Sequence, residues 1–264
     1  LDLDGSVSWR FVSAIAVGTS HIRTETPCQD RCAGVVVESA DGGEVFVGVV
    51  SDGAGSASLS ERGATLVCER LPALVGRALA TSSDLDALSD EDVRTWFLML
   101  RDELRAQAGE AGAALRDFSA TALLAVASDH QTLCAAVGDG AVVVREGVDA
   151  PFEVALWPEG GEYVNQTYFL TDDTVAERVA IRRFDGVSDV IAFSDGLQQL
   201  ALEHATRSAF APFFAPLVRT VRESAAVPAE LARSLASYLD SEAVNRRTDD
   251  DKALVVGCRT VARA

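Results

Sequence analysis

The chain has 264 residues, enough for one large domain with a sizeable core, and 48% are hydrophobic, which excludes a disordered chain. Forty acidic residues against 23 basic ones leave a formal net charge of −17, a balance that argues against nucleic acid or an anionic membrane as partner. No run of about eighteen apolar residues is present to span a bilayer. The five cysteines (Cys28, Cys32, Cys68, Cys134 and Cys258) are scattered and complete no zinc pattern, so they read as reduced thiols of a cytoplasmic protein. Leu1–Gly5 is acidic rather than basic and apolar, so no signal peptide is expected.

Alternation over residues 8–17 predicts a first strand, and Gly18–Asp30 reads as a loop rich in Ser and Thr that ends on Cys28-Gln29-Asp30. Ala33–Glu38 is a second strand, joined through Ala40-Asp41-Gly42-Gly43 to an apolar run, Val45–Val50, as a hairpin. That run drives straight into Ser51-Asp52-Gly53-Ala54-Gly55 and delivers a carboxylate where glycine lets the backbone turn. Leu59–Leu79 has helical spacing and is expected across a sheet face. Ser89-x-x-Asp92 caps a second helix over about 90–108, and Thr81–Leu88 between them is too short to divide domains.

Phe118–Ala127, Thr132–Val137 and Ala141–Arg145 read as a meander of strands, the last two joined by a tight Gly138-Asp139-Gly140 turn. Phe152–Trp157 follows, then a long polar segment, Pro158–Thr174, of the length that usually serves function. Val179–Phe184 and Val190–Phe193 are strands, the second ending in Ser194-Asp195-Gly196. Helices are predicted at about 197–204, 207–222 and 228–240, a charged loop at Asn245–Asp251, and a last strand at Lys252–Arg259. Strands arrive in runs rather than alternating with helices, which favours antiparallel sheet layered with helices in a single domain over 1–264. Trp96, Trp157 and the Phe210–Phe214 cluster are assigned to the core.

Four acids stand where a strand meets a turn: Asp52, Asp139, Asp195 and Asp250, with Asp30 as a fifth candidate. Taken singly, each is a turn former, Asp-Gly being a common turn dipeptide, and Asp249 and Asp251 read as solvated neighbours of Asp250. Gathered in one place, such carboxylates repel one another unless a cation neutralises them, and oxygen-only ligands suit Mg²⁺ or Mn²⁺. Two such ions can share and acidify a water for attack on phosphorus.

These residues, in this order, resemble the metal-dependent protein phosphatases of type 2C. Cys28-Gln29-Asp30 stands for the family's first acidic motif, and Asp52-Gly53-Ala54-Gly55 for its D-G-x-G. Phe118-Ser119-Ala120-Thr121-Ala122 is similar to its G-S-T-A, and Gly138-Asp139-Gly140-Ala141 to its G-D-S-R. Ser194-Asp195-Gly196-Leu197 matches S-D-G-L letter for letter, and Asp250-Asp251-Lys252-Ala253-Leu254 looks like the closing D-N-x-T strand. The resemblance runs from about Trp9 to Val256. It implies an α+β fold, a four-layer αββα sandwich of two antiparallel sheets flanked by helices. It also implies two Mg²⁺ or Mn²⁺ ions and a weaker third site. Asp52 would bridge the two, with the Gly53 carbonyl on the second and Asp195 and Asp250 on the first. Asp139 would help Asp195 hold the third, and Asp30 would hold a metal-bound water.

By the same resemblance, the reaction is hydrolysis of phosphoserine and phosphothreonine in proteins by metal-activated hydroxide, with a cognate Ser/Thr kinase as the opposing partner. Much of the family places a phosphate-gripping Arg five residues before the first-motif Asp, where this chain has Glu25, which would repel phosphate. His21 or Arg23 is the candidate replacement, and G-T-S-H with P-C-Q-D looks like a bacterial subgroup in which a His serves. His21 could also protonate the leaving alkoxide. Val164–Thr171 lies where the family carries a flap beside the site. The Glu25 departure favours a rival, a phosphatase-like module that only binds a partner or phosphopeptide. A third reading, a structural cation-binding domain, accounts for the acids but not for the His21 loop.

Overall fold

The computed structural model describes residues 7–82, 84–158 and 167–261. In chain order its elements are β1 (Val7–Ala16), α1 (Thr19–Thr24), β2 (Arg31–Glu38), β3 (Glu44–Ser51), α2 (Ser60–Leu79) and α3 (Asp90–Ala111). Then come β4 (Ala122–Ala127), β5 (Gln131–Val137), β6 (Ala141–Arg145), β7 (Glu153–Leu156), α4 (Val175–Arg178), β8 (Ala180–Asp185) and β9 (Asp189–Phe193). The chain closes with α5 (Gln198–Ala201), β10 (Leu202–Glu203), β11 (Ser208–Ala209), α6 (Ala211–Glu223), α7 (Pro228–Leu239), α8 (Glu242–Asn245) and β12 (Lys252–Val261).

Two five-stranded antiparallel sheets result, ordered β1-β12-β9-β6-β7 and β2-β3-β4-β5-β8. The strands β3, β4, β5, β6 and β9 are buried on both faces, which is why they read as continuous runs, whereas β1 alternates between buried and part-buried positions. In β3, Val45, Val47 and Val49 pack under α2 and α3, while Phe46 and Val50 point into the layer between the sheets. In β12, Ala253 and Val255 face that middle layer, and Leu254, Val256 and Cys258 face α6 and α7. Three apolar layers thus hold four structural layers together, the αββα sandwich that the motifs implied. The capping box at Ser89 forms as predicted, its hydroxyl accepting from the Asp92 N–H while the Asp92 carboxylate accepts from the Ser89 N–H.

Several local expectations are corrected. The expected meander breaks at Val137: β6 leaves β5 and pairs with β9 and β7 in the other sheet. Gly138-Asp139-Gly140 is therefore a crossover between sheets, not a hairpin turn. Gly138 makes it with φ +118°, a conformation costly for any residue with a side chain. A short Gly-Asp-Gly serves either connection, so local chemistry could not decide between them. The strand expected from Phe118 begins only at Ala122, because residues 115–118 form a 3-10 turn. The loop over 18–30 contains the short helix α1. The helix expected at 197–204 shortens to α5, followed by the β10–β11 hairpin.

The strand registers bring one edge of both sheets together. Arg31 pairs with Ser51 and Ala122 with Val137 in one sheet. In the other, Phe193 lies between Ala141 and Leu254, and Lys252 pairs with Ala16. Asp30, Asp52, Asp139, Asp195 and Asp250 each lie within two residues of those strand ends. Residues nearly the whole chain apart therefore meet at one edge.

Candidate metal centre

Asp52 leaves β3 on a backbone pinned from both sides. Its N–H donates to Thr121 Oγ1 at 2.9 Å, and its carbonyl accepts from the Thr121 N–H at 2.8 Å. The Ala54 N–H donates to the Ser119 carbonyl at 2.9 Å, so residues 52–54 bridge to 119–121 with Gly53 opposite Ala120. Asp195 opens a turn after β9 in which Gly196 lies against the 249–251 loop. A Cβ at Gly196 would sit 1.9 Å from the Asp251 carbonyl oxygen, so only glycine permits this approach. The letter-for-letter S-D-G-L match has its physical reason there.

The carboxylates of Asp52, Asp139 and Asp195 offer oxygens all within 4.8 Å of one another. Asp250 borders the same pocket, together with His21, Gln29, Gly53, Thr167 and Phe169. Asp30 lies behind them, 1% exposed, accepting from Ser194 Oγ at 2.5 Å. Among the described residues no Lys or Arg lines this pocket. Burial, with Asp195 and Asp251 nearby, pushes the Asp30 carboxyl up to about 8. Burial, with Asp139 and Asp250 nearby, pushes Asp195 to about 7. Burial and the charges of Asp30, Asp195 and Asp139 hold Asp52 well above the usual carboxylate range, and burial raises Asp250.

A divalent cation fits these residues. One carboxylate oxygen of Asp139, Oδ1, is buried with no hydrogen-bond partner, while the other accepts from Thr167 Oγ1 at 2.5 Å. Gln29 Oε1, on the same pocket, is likewise buried and unpartnered. Orphaned acceptors beside clustered carboxyls are what a hard cation satisfies, and the all-oxygen donor set is that of Mg²⁺ or Mn²⁺ rather than zinc.

The 249–251 loop is where sequence reasoning placed a residue wrongly. Asp249 is exposed and Asp250 is partly solvent-facing while it lines the pocket, but Asp251 is only 2% exposed and is not a solvated neighbour. Its Oδ1 accepts from the Gly18 N–H at 2.6 Å, and its Oδ2 accepts from the Gln29 N–H at 2.6 Å. The same Oδ2 lies 2.8 Å from His21 Nδ1. A carboxylate already accepting from two backbone donors accepts from the ring as well. Nδ1 therefore carries a hydrogen, and Nε2 is left for the pocket. Ser20 N–H to the Asp249 carbonyl, 2.9 Å, completes the clamp of α1 onto this loop. The signal for Asp251 was its place one residue before a buried strand, in the Asn position of the D-N motif.

Arg23 goes elsewhere. It pairs with Asp249 across 3.1 Å at the surface, both side chains about two-thirds exposed, and does not border the pocket. Glu25 ends α1 in the left-handed conformation, φ 54°, exposed and outside the pocket lining. Of the flap segment, Val164, Asn165 and Gln166 lie outside the described residues. Thr167 and Phe169 reach the pocket, and Thr171 Oγ1 bonds Ser119 Oγ at 2.8 Å. Phe213 and Phe214 are core, as is Trp96, but Phe210 is 39% exposed, which corrects its assignment.

Comparison with known proteins agrees with this geometry. A family model described as protein phosphatase 2C matches residues 17–240. "Serine/threonine-protein phosphatase 3" of Escherichia coli is 36% identical over 252 residues, covering 95% of this chain and 98% of that protein. Among solved structures, PppA of Pseudomonas aeruginosa superposes with a TM-score of 0.62 at 18% identity, over 96% of this chain and 99% of that one. The catalytic domain of the serine/threonine phosphatase PstP, solved with two manganese ions, gives 0.61 at 16% identity, over 97% and 100%. The layered sheets, the carboxylate edge and the sequence matches lead to one assignment: this chain belongs to the protein phosphatase 2C family.

Proposed function

We propose that this chain is a serine/threonine protein phosphatase, with Mg²⁺ or Mn²⁺ held by Asp52, the Gly53 carbonyl, Asp139, Asp195 and Asp250. The observation that carries the reading is the convergence of three carboxylates and an orphaned Asp139 oxygen at one sheet edge, in a pocket that no Lys or Arg lines among the described residues. Bound ions supply neutralising charge for phosphoryl oxygens and a water acidified to near neutrality. Asp139 and Asp195 together would hold a weaker third ion.

The protein's own groups supply the rest. Asp30, fixed by Ser194 and lying beside Asp52, holds a proton at the buried side of the pocket and orients water there. Asp251 holds His21 in one tautomer and one orientation, so that the protonated ring donates from Nε2 to a phosphoryl or leaving-group oxygen. His21 takes this place rather than Arg23, which is engaged at the surface. The polar flap residues Thr167 and Thr171 fix the pocket wall through Asp139 and Ser119. The substrate is a phosphorylated protein of the cytoplasm, and the partner reaction is that of a Ser/Thr kinase. Residues 1–264 act as one domain.

Hydrolysis of a phosphothreonine peptide with Mn²⁺, with Mg²⁺ and with chelator tests this directly. Metal-dependent turnover that Asp195→Asn abolishes is the expected result. A folded, metal-loaded protein without turnover would instead support a module that only binds phosphoprotein.

A further inference from the structure

A second cavity of about 440 Å³ opens between α5, the β10–β11 hairpin, α6 and α8. Leu202, Phe213 and Val244 form its buried wall, and Phe210 and Tyr238 stand at its mouth, 39% and 40% exposed. Among the described residues, these are the two aromatic side chains in the set of exposed large hydrophobics, and both border this cavity. A polar trough connects it to the metal centre. The trough shares Asp195 and Asp250 with the carboxylate pocket, and Gln199 and Arg247 with the second cavity. Arg247 is exposed and makes no ion pair among the described residues, whereas Arg246 pairs with Glu242 and Arg23 with Asp249.

A phosphorylated side chain that enters the carboxylate pocket obliges its own backbone to leave along the adjoining surface. The trough is a continuous path for it, and an extended segment advances about 3.3 Å per residue. The trough carries Asp195, Asp249 and Asp250 alongside Arg246 and Arg247, and the cavity adds Glu203. Of the two guanidinium groups, Arg247 makes no ion pair among the described residues, which makes it the point of attraction for an acidic side chain. A cavity with one apolar wall (Leu202, Phe213 and Val244), aromatics at its mouth, and Gln199, Glu203 and Arg247 along its rim suits one bulky apolar side chain against that wall. We propose that trough and cavity bind the substrate stretch beside the phosphoresidue, Arg247 meeting an acidic residue and the cavity taking an apolar anchor. This inference rests on the phosphatase reading and makes it specific: preferred substrates carry a Leu, Phe or Met several residues from the phosphothreonine, with an acid between.

The test uses the Mn²⁺-loaded full chain and alanine-rich phosphothreonine peptides in which one Phe is moved stepwise along either flank, with p-nitrophenyl phosphate as the small-substrate control. One placement of Phe is expected to raise kcat/KM about tenfold over the all-alanine peptide, roughly the contribution of one buried anchor. Ala243→Trp, which fills the cavity from its rim, and Tyr238→Ala are expected to erase that gain while p-nitrophenyl phosphate turnover is unchanged. Arg247→Glu should lower the benefit of an added Asp and leave that of the Phe. Equal kcat/KM for every Phe placement would overturn the inference. So would a dimer that Ala243→Trp dissociates without altering peptide kinetics, which would give the cavity to a second copy of the chain. Absence of p-nitrophenyl phosphate and peptide turnover together would overturn the phosphatase reading itself, and this one with it.

Discussion

Strand β9 has a carboxylate at each end, and the two are treated in opposite ways. Asp189, at its start, is fully buried and neutralised by the protein itself, with Arg145 Nε at 2.6 Å and Arg222 bonded to its other oxygen. Asp195, two residues past its end, sits among Asp52, Asp139 and Asp250 in a pocket that, among the described residues, no Lys or Arg lines. The nearby Lys252 ammonium acts on Asp250 and Asp251 and bonds Asn245 rather than a carboxylate. One sheet thus presents a completed ion cluster at one edge and an uncompensated one at the other. The first is a stability device. The second places mutually repelling carboxyls at the ends of hydrogen-bonded strands, where a divalent cation would supply the missing charge.

The largest expected effect falls on the completed end. Asp189→Asn removes the buried charge that offsets two part-buried guanidinium groups, and we predict a loss of about 3–5 kcal/mol in urea unfolding. Turnover per folded molecule should stay unchanged. Asp195→Asn should do the reverse: turnover falls by more than about 100-fold, beyond what outer-sphere changes near a metal usually cost. Metal-free stability should hold or rise, since one of several mutually repelling carboxylates is gone. If both variants lost stability equally, the contrast between the two edges would fail.

The intermediate effects sharpen it. His21→Ala is predicted to reduce phosphothreonine peptide turnover by about 100-fold, at the low end for a general acid, with a smaller loss on p-nitrophenyl phosphate, whose leaving group needs no proton. Because Asp30 and Asp195 are raised to about 8 and about 7, the folded metal-free chain keeps protons that the unfolded chain has released. Unfolding stability without metal should therefore fall as pH rises from about 4 to about 8, and added Mn²⁺ should flatten that slope. The smallest effect belongs to Arg23→Ala, which removes an exposed ion pair with Asp249. It should alter stability by less than about 1 kcal/mol and leave peptide kcat/KM within about twofold.

What was legible in the sequence followed from burial and turn chemistry. Apolar runs such as Val45–Val50 marked strands covered on both faces, and Asp-Gly steps marked where those strands end. What was not legible depended on pairing across the chain. Nothing local in Gly138-Asp139-Gly140 tells a hairpin from a crossover, yet the crossover is what carries Asp139 from one sheet to the other beside Asp195. Asp251 looked solvated within a charged run, because its three donors come from Gly18, His21 and Gln29, more than two hundred residues away in sequence. Between Arg23 and His21 only the resemblance favours His21; the shape of their loop is not readable from the residues. Once that loop turns as α1, only His21 lies against the buried carboxylate, and Arg23 faces outward.

The most direct measurement is a Mn²⁺ titration of the metal-free chain at pH 7, following bound metal, released protons and phosphothreonine peptide hydrolysis on the same samples. The predicted result is saturable binding that releases protons from the raised carboxyls, with hydrolysis rising in step with occupancy. Hydrolysis that proceeds without metal, or a folded chain that binds no Mn²⁺ at this edge, would contradict the account.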